Sequence, residues 1–173
     1  MIPLPWILAW FSAATIHELG HCLAVWLCGG RILSVRIGIR GAVIEADDLL
    51  PAKSILCSLA GPLFGMLPVG LSAVFPRLAL CALAQTIYNL LPIYPLDGGR
   101  ILRSLLAMLF SESAAETITD VAGVLTALLL CGICVCIPVL QKVLWIPVTL
   151  MCVAVLRKKK IKIPCKPCFH RVQ

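Results

Sequence analysis

Charge is scarce in this sequence. Only 13% of its 173 residues are Asp, Glu, Lys or Arg, against about a quarter in soluble domains. With 61% hydrophobic residues, this excludes an ordinary soluble globular chain and points to an integral membrane protein. The length allows one helical membrane domain and leaves little for a separate soluble module. A basic n-region is also missing ahead of the first apolar run, which is too long for a signal-peptide core and carries His and Glu in its middle, so it reads as a retained helix. A second CxxC is missing too. Cys165 and Cys168, with His170 nearby, form only half of a zinc or redox site, while the other eight cysteines lie within or at the ends of apolar segments as small hydrophobes. The net charge of +7 does not point to nucleic acid, because seven of the fifteen basic residues fall between 157 and 171, beyond the last apolar run. That clustering reads as a topology signal and a contact with the headgroups of the lipid bilayer.

What is there centres on His17, Glu18, Leu19, Gly20 and His21, inside an apolar run over 4–28. Two histidines four apart on an α-helix are separated by about 400° of rotation and roughly 6 Å of rise, so both imidazoles project from one face. That is a bidentate metal clamp. A catalytic zinc takes three protein ligands and leaves the fourth position to water. Glu18, beside the clamp and not bound to the metal, can take a proton from that water as it attacks a carbonyl. The plainer alternative, polar residues on a solvated helix, is opposed by the neighbours: Trp6, Ile7, Leu8, Trp10 and Phe11 precede the motif, and Leu23, Val25, Trp26 and Leu27 follow it. An ionisable side chain at bilayer depth costs on the order of 3 kcal/mol, and three within five residues call for a metal to satisfy them.

Gly29 and Gly30 supply a stop for this first helix. From Leu33 the apolar residues alternate as Leu33, Val35, Ile37 and Ile39, a strand pattern that turns at Arg40-Gly41 and returns through Ala42 to Glu45. The stretch predicts a small amphipathic hairpin at the membrane surface, or an edge strand that offers its backbone to an unwound substrate segment. A second helix is predicted over 52–75, kinked and closely packed through Ala60-Gly61-Pro62, Gly65, Pro68 and Gly70. A third runs over 78–91. It ends at Pro92-Ile93-Tyr94-Pro95-Leu96-Asp97-Gly98-Gly99-Arg100, which cannot continue a regular helix.

Unwound backbone at membrane depth is tolerated only where protein or a water-filled cavity satisfies it, so this break is a place to build a site. Asp97 lies in it, and Asp97 and Glu18 are the acidic residues embedded in the apolar segments. With two histidines in hand, Asp97 is the natural third zinc ligand; a helix cap before Gly98 is the alternative. Asn89, one turn before the break, has the reach to hydrogen-bond a substrate backbone or to pair with an unwound carbonyl. A short amphipathic helix follows over 99–110, then a polar stretch over 111–120, a charge-free span over 121–140 and a shorter one over 143–156.

These segments predict an all-α polytopic membrane protein of about five transmembrane helices, with a small cytoplasm-facing β-hairpin after helix one. The organisation is a catalytic three-helix core over 1–110 with the hairpin at 31–48, two accessory spans over 111–156, and a basic cytoplasmic tail over 157–173. Thirteen basic residues then fall on one side and two, Arg77 and Lys142, on the other. The positive-inside rule puts the N-terminus outside and the tail in the cytoplasm, with the site nearer the cytoplasmic face.

HELGH at 17–21, AGP at 60–62 and NLLPIYPLDGGR at 89–100 resemble the site-2 protease family of zinc intramembrane metalloproteases. The compact plan without a PDZ domain is similar to the sporulation-type branch. The resemblance implies one zinc per chain, with His17, His21 and Asp97 as ligands, Glu18 as catalytic acid/base and Asn89 in substrate or transition-state binding. It also implies hydrolysis of peptide bonds within or next to transmembrane segments of membrane-bound proteins of the pro-sigma or anti-sigma type, in the bacterial cytoplasmic membrane. A metal transporter with the same ligands would need further intramembrane carboxylates or histidines to line a route, and the sequence offers none. A non-catalytic scaffold for transmembrane segments would have no use for Glu18.

Overall fold

A computed structural model of the chain describes residues 3–30, 32–38, 41–46 and 51–136. The described backbone forms, in chain order, α1 (Leu4–Leu27), β1 (Ile32–Gly38), β2 (Gly41–Ala46), α2 (Pro51–Gly65), a 3-10 turn (Leu67–Leu71), α3 (Pro76–Asn89), α4 (Asp97–Leu109) and α5 (Glu112–Cys136). Two compact units divide the chain, residues 1–126 and residues 127–173. Every candidate site residue lies in the first.

α1 opens on prolines, whose missing N–H costs nothing in a first turn. It closes where Gly29 adopts a φ of +74°. There the Gly30 N–H donates to the Val25 carbonyl at 2.9 Å and the Gly29 N–H to that of Trp26 at 3.0 Å, a paired closure that the left-handed glycine makes available. The buried face of α1 is Ala9, Ala13, His17, Gly20, His21 and Val25. Its outward residues are large and apolar: Phe11 is 66% exposed and Trp26 71%. A helix that buries its small and polar side chains and presents Leu, Phe and Trp outward has the arrangement of a helix solvated by lipid.

Small residues also set the packing behind that face. Ala9 and Ala13 of α1 meet Cys81 and Ala82 of α3, with Trp6 and Leu78 at the edge. The Gln85 amide Nε2 crosses from α3 to donate to the Trp10 carbonyl at 2.9 Å. α1 and α2 approach until a Cβ on Gly20 would lie 2.6 Å from the Ala60 carbonyl oxygen. Lys53 ties the start of α2 to the end of α1 by donating from Nζ to the Cys28 carbonyl at 2.9 Å.

The sequence-based fold class needs correction. Five membrane spans were expected, whereas among the described residues two stretches, Pro51–Leu71 and Glu112–Ile133, are long and apolar enough to cross a membrane. α1 has the length, but Thr15, His17, Glu18 and His21 dilute its apolar average. α3, at 14 residues, spans only about 21 Å, and α4 is amphipathic. The expected span over 143–156 lies outside the described residues, as does the tail.

The 31–48 stretch contributes only the short antiparallel pair β1 and β2. The described chain is organised by its five helices. β1 and β2 pair antiparallel with each other, in a register irregular between Ile32 and Ser34 and regular from Ser34 to Gly38. Of the expected Arg40-Gly41 turn, Arg40 lies outside the described residues and Gly41 opens β2.

Boundaries shift for physical reasons. The predicted single helix over 52–75 is α2 followed by a 3-10 turn, because Pro68 cannot donate to the preceding turn. The polar stretch over 111–120, expected as a connection, is the first part of α5. Its hydroxyls are satisfied within the helix: Thr117 Oγ1 donates to the Ser113 carbonyl and Thr119 Oγ1 to that of Ala115, at 2.9 and 2.7 Å.

Candidate metal centre

The helical break after α3 is built by close backbone contact. Ile93 N–H donates to the Leu91 carbonyl at 2.7 Å and Leu96 N–H to that of Ile93 at 2.8 Å, and Ile93 itself is 1% exposed. The Tyr94–Pro95 peptide is cis. A Cβ on Gly98 would collide with the Leu90 carbonyl, and one on Gly99 with the backbone of Ile93 and Tyr94. These glycines therefore let the break fold against the first turn of α4. α4 begins at Asp97, two residues earlier than predicted, with Leu96 as its N-cap and no side-chain cap. Asp97 is thus not the capping residue of its helix. Its carboxylate is buried and reaches α1.

There it meets both histidines. Asp97 Oδ2 lies 3.0 Å from His17 Nε2 and 3.3 Å from His21 Nε2, and the two Nε2 atoms are 3.2 Å apart. All three side chains are buried, with their ligand atoms within 4.8 Å of one another. The imidazoles stand nearly perpendicular, at 81°. On the far side of the second ring, His21 Nδ1 donates to the Cys57 carbonyl at 2.7 Å. A neutral ring that donates from Nδ1 presents a lone pair at Nε2. Two lone pairs and a carboxylate oxygen turned on one buried point are a donor set that a cation satisfies and that water-free burial alone does not. The three residues fit a metal ion.

Glu18 follows His17 on α1, half-buried and within the electrostatic field of His21, His17, Asp97 and Arg100. Asn89, the last residue of α3, brings its Nδ2 to 3.3 Å from His17 Nε2. The structure therefore gathers His17, His21, Asp97 and Asn89 at one point, with Glu18 beside it.

One feature of the site had no signal in the sequence: the Cys57 carbonyl orients His21, and any residue carries such a carbonyl. Gly61, marked in the sequence for close packing and within the AGP stretch, meets the His21 ring, where a Cβ would collide with the imidazole.

Residues 65–133 match the model of peptidase family M50, a segment that contains Asn89 and Asp97. That stretch, less than half of the chain, is similar to peptidase family M50. It is 30% identical over 123 residues to a protein of Synechocystis sp. named as a zinc metalloprotease, covering 58% of this chain and 32% of that one. It is 28% identical over 134 residues to a zinc metalloprotease of Methanocaldococcus jannaschii, covering 69% and 40%. Among solved structures, a site-2 protease from Methanocaldococcus jannaschii superposes with a TM-score of 0.58 at 26% identity, over 70% of this chain and 63% of that one. The chain thus spans about a third to two-fifths of the length of these curated relatives. The likeness to the solved M50 protein extends beyond the 65–133 segment, and the geometry above joins that segment to the HELGH helix.

Proposed function

We propose that this chain is a zinc-dependent intramembrane endopeptidase of the site-2 protease type, a member of peptidase family M50. The observation that carries the reading is the convergence of His17, His21 and Asp97, 80 positions apart, on one buried point beneath a surface of outward-facing Leu, Phe and Trp. The names of the relatives support zinc as the metal and peptide hydrolysis as the reaction. In this reading His17 Nε2, His21 Nε2 and Asp97 Oδ2 hold one zinc. When bound there, zinc supplies Lewis acidity and lowers the pKa of coordinated water toward neutrality. The protein's own work is proton handling and positioning. Glu18 accepts the proton of the attacking water and returns it to the leaving amine, and the Asn89 amide donates to the substrate carbonyl or backbone. The Cys57 carbonyl keeps His21 in its ligating tautomer.

The substrate is a membrane protein cut within or next to a transmembrane segment, since a site recessed among lipid-facing helices is reached from the bilayer. The resemblance of the 89–100 segment extends this to membrane-bound regulatory proteins of the pro-sigma or anti-sigma type. The basic cluster at 157–171 supports a cytoplasmic tail in a bacterial cytoplasmic membrane.

The deciding experiment is cleavage of a panel of single-span substrates in detergent or lipid by wild type, Glu18→Gln and Asp97→Asn, with zinc content measured in parallel. Glu18→Gln is expected to lose at least about 100-fold in turnover while keeping its zinc, and Asp97→Asn to lose both. Surviving turnover in Glu18→Gln would remove Glu18 from its role.

A further inference from the structure

His17 is held asymmetrically. Its Nε2 faces Asp97 Oδ2, His21 Nε2 and Asn89 Nδ2 at 3.0, 3.2 and 3.3 Å. That nitrogen is turned toward the metal position and must carry the lone pair, so the proton of the neutral ring sits on Nδ1. His21 meets the same requirement through Cys57. His17 Nδ1 is buried and has no hydrogen-bond partner among the described residues, and a buried donor left bare costs about 1–3 kcal/mol.

One other buried side-chain atom among the described residues is in the same position, Thr86 Oγ1. The two meet at Gly65. A Cβ there would lie 2.7 Å from Thr86 Oγ1 and 3.3 Å from His17 Nδ1, so glycine lets both side chains approach the same point. Thr86 is 4% exposed, as is His17. Thr86 and Asn89 stand three apart on α3 and so share a face of that helix. α3 therefore addresses both ring nitrogens of His17, with Asn89 on the Nε2 side and Thr86 on the Nδ1 side.

We infer that Thr86 is the positioning residue for His17. Turned toward the ring, its hydroxyl oxygen accepts the Nδ1 proton and so fixes the ring's tautomer and plane with Nε2 toward the metal. The inference rests on the zinc reading above. Partners that orient a metal-ligating histidine typically contribute 10- to 100-fold in metal affinity.

The test compares zinc retention against a graded series of chelators for the full chain in detergent, as wild type, Thr86→Val and Thr86→Ser. Valine keeps the branched shape and removes the hydroxyl; serine keeps the hydroxyl and removes a methyl. A positioning role predicts zinc affinity about 10- to 100-fold weaker in Thr86→Val, with Thr86→Ser close to wild type. A packing role predicts the reverse order, because serine leaves the hole. Gly65→Ala, whose methyl would press on both Thr86 Oγ1 and His17 Nδ1, is expected to weaken zinc as Thr86→Val does. Wild type and Thr86→Val holding zinc equally would overturn the inference and leave the zinc reading standing. A wild-type chain that takes up no zinc would overturn both.

Discussion

Each histidine at the site must do two things at once: offer a lone pair inward and place a proton outward. His21 does this through a 2.7 Å hydrogen bond to the Cys57 carbonyl. Asn89 has a different relation to the centre, an amide 3.3 Å from His17 Nε2 and only half-buried. It is positioned to reach past the ligands to a bound substrate. Asn89→Ala is therefore expected to lower turnover of single-span substrates about 10- to 100-fold, the scale of one lost transition-state donor, with zinc content unchanged. Zinc loss in that variant would move Asn89 from substrate binding to support of the metal ligands. The clamp residues were legible in the sequence because an i, i+4 relation is a local property of a helix. Asp97 was legible by elimination, since few acidic residues interrupt the apolar segments. The Cys57 carbonyl was not legible, because a backbone carbonyl leaves no mark on residue type.

At the scale of elements, the site depends on how closely α1, α2 and α3 approach. Glycines at 20, 61 and 65 face neighbouring helices at distances that leave no room for a methyl group, as expected where helices associate without a solvent-driven hydrophobic force. Gly61 is the most telling, because its neighbour is the His21 ring itself. Gly61→Ala is expected to push that ring aside or separate α1 from α2. The cost should be about 1–3 kcal/mol, read as a lower unfolding midpoint together with reduced zinc occupancy. A stable variant with full zinc would show that the two helices can separate without disturbing the clamp. The sequence marked these glycines as packing residues and could not say against what. Likewise the polar run opening α5 read as a connection, because composition does not reveal that Thr117 and Thr119 satisfy their hydroxyls on their own helix.

Across the described residues of the 1–126 unit, large apolar side chains face outward and the candidate ligands face inward. The candidate ligand atoms come from α1 and from the start of α4, separated by a hairpin, two helices and a break. A metal bound only by the folded arrangement stabilises it by mass action. Removing zinc with a chelator is therefore expected to lower the thermal midpoint of the detergent-solubilised chain, and adding zinc back should restore it. An unchanged midpoint in a chain that demonstrably binds zinc would mean that the three ligands are held together by helix packing alone.

The sequence by itself determined the solvent and the chemistry. Scarce charge and long apolar runs point to lipid around the chain, and a His-Glu-x-x-His helix with one further carboxylate at depth is a donor set that suits a cation. These follow from side-chain type and from the helical period, both local properties. The tertiary structure decided what depends on distances between residues far apart in the chain. It brought Asp97 to the histidines across 80 positions, gave His21 a carbonyl partner on α2, and set Thr86 opposite the open nitrogen of His17. It also decided where helices begin and end: Pro68 turns the end of the second into a 3-10 turn, and the fourth starts at Asp97. A hydrogen-bond partner is fixed by where the backbone goes, and only the packed helices say where that is.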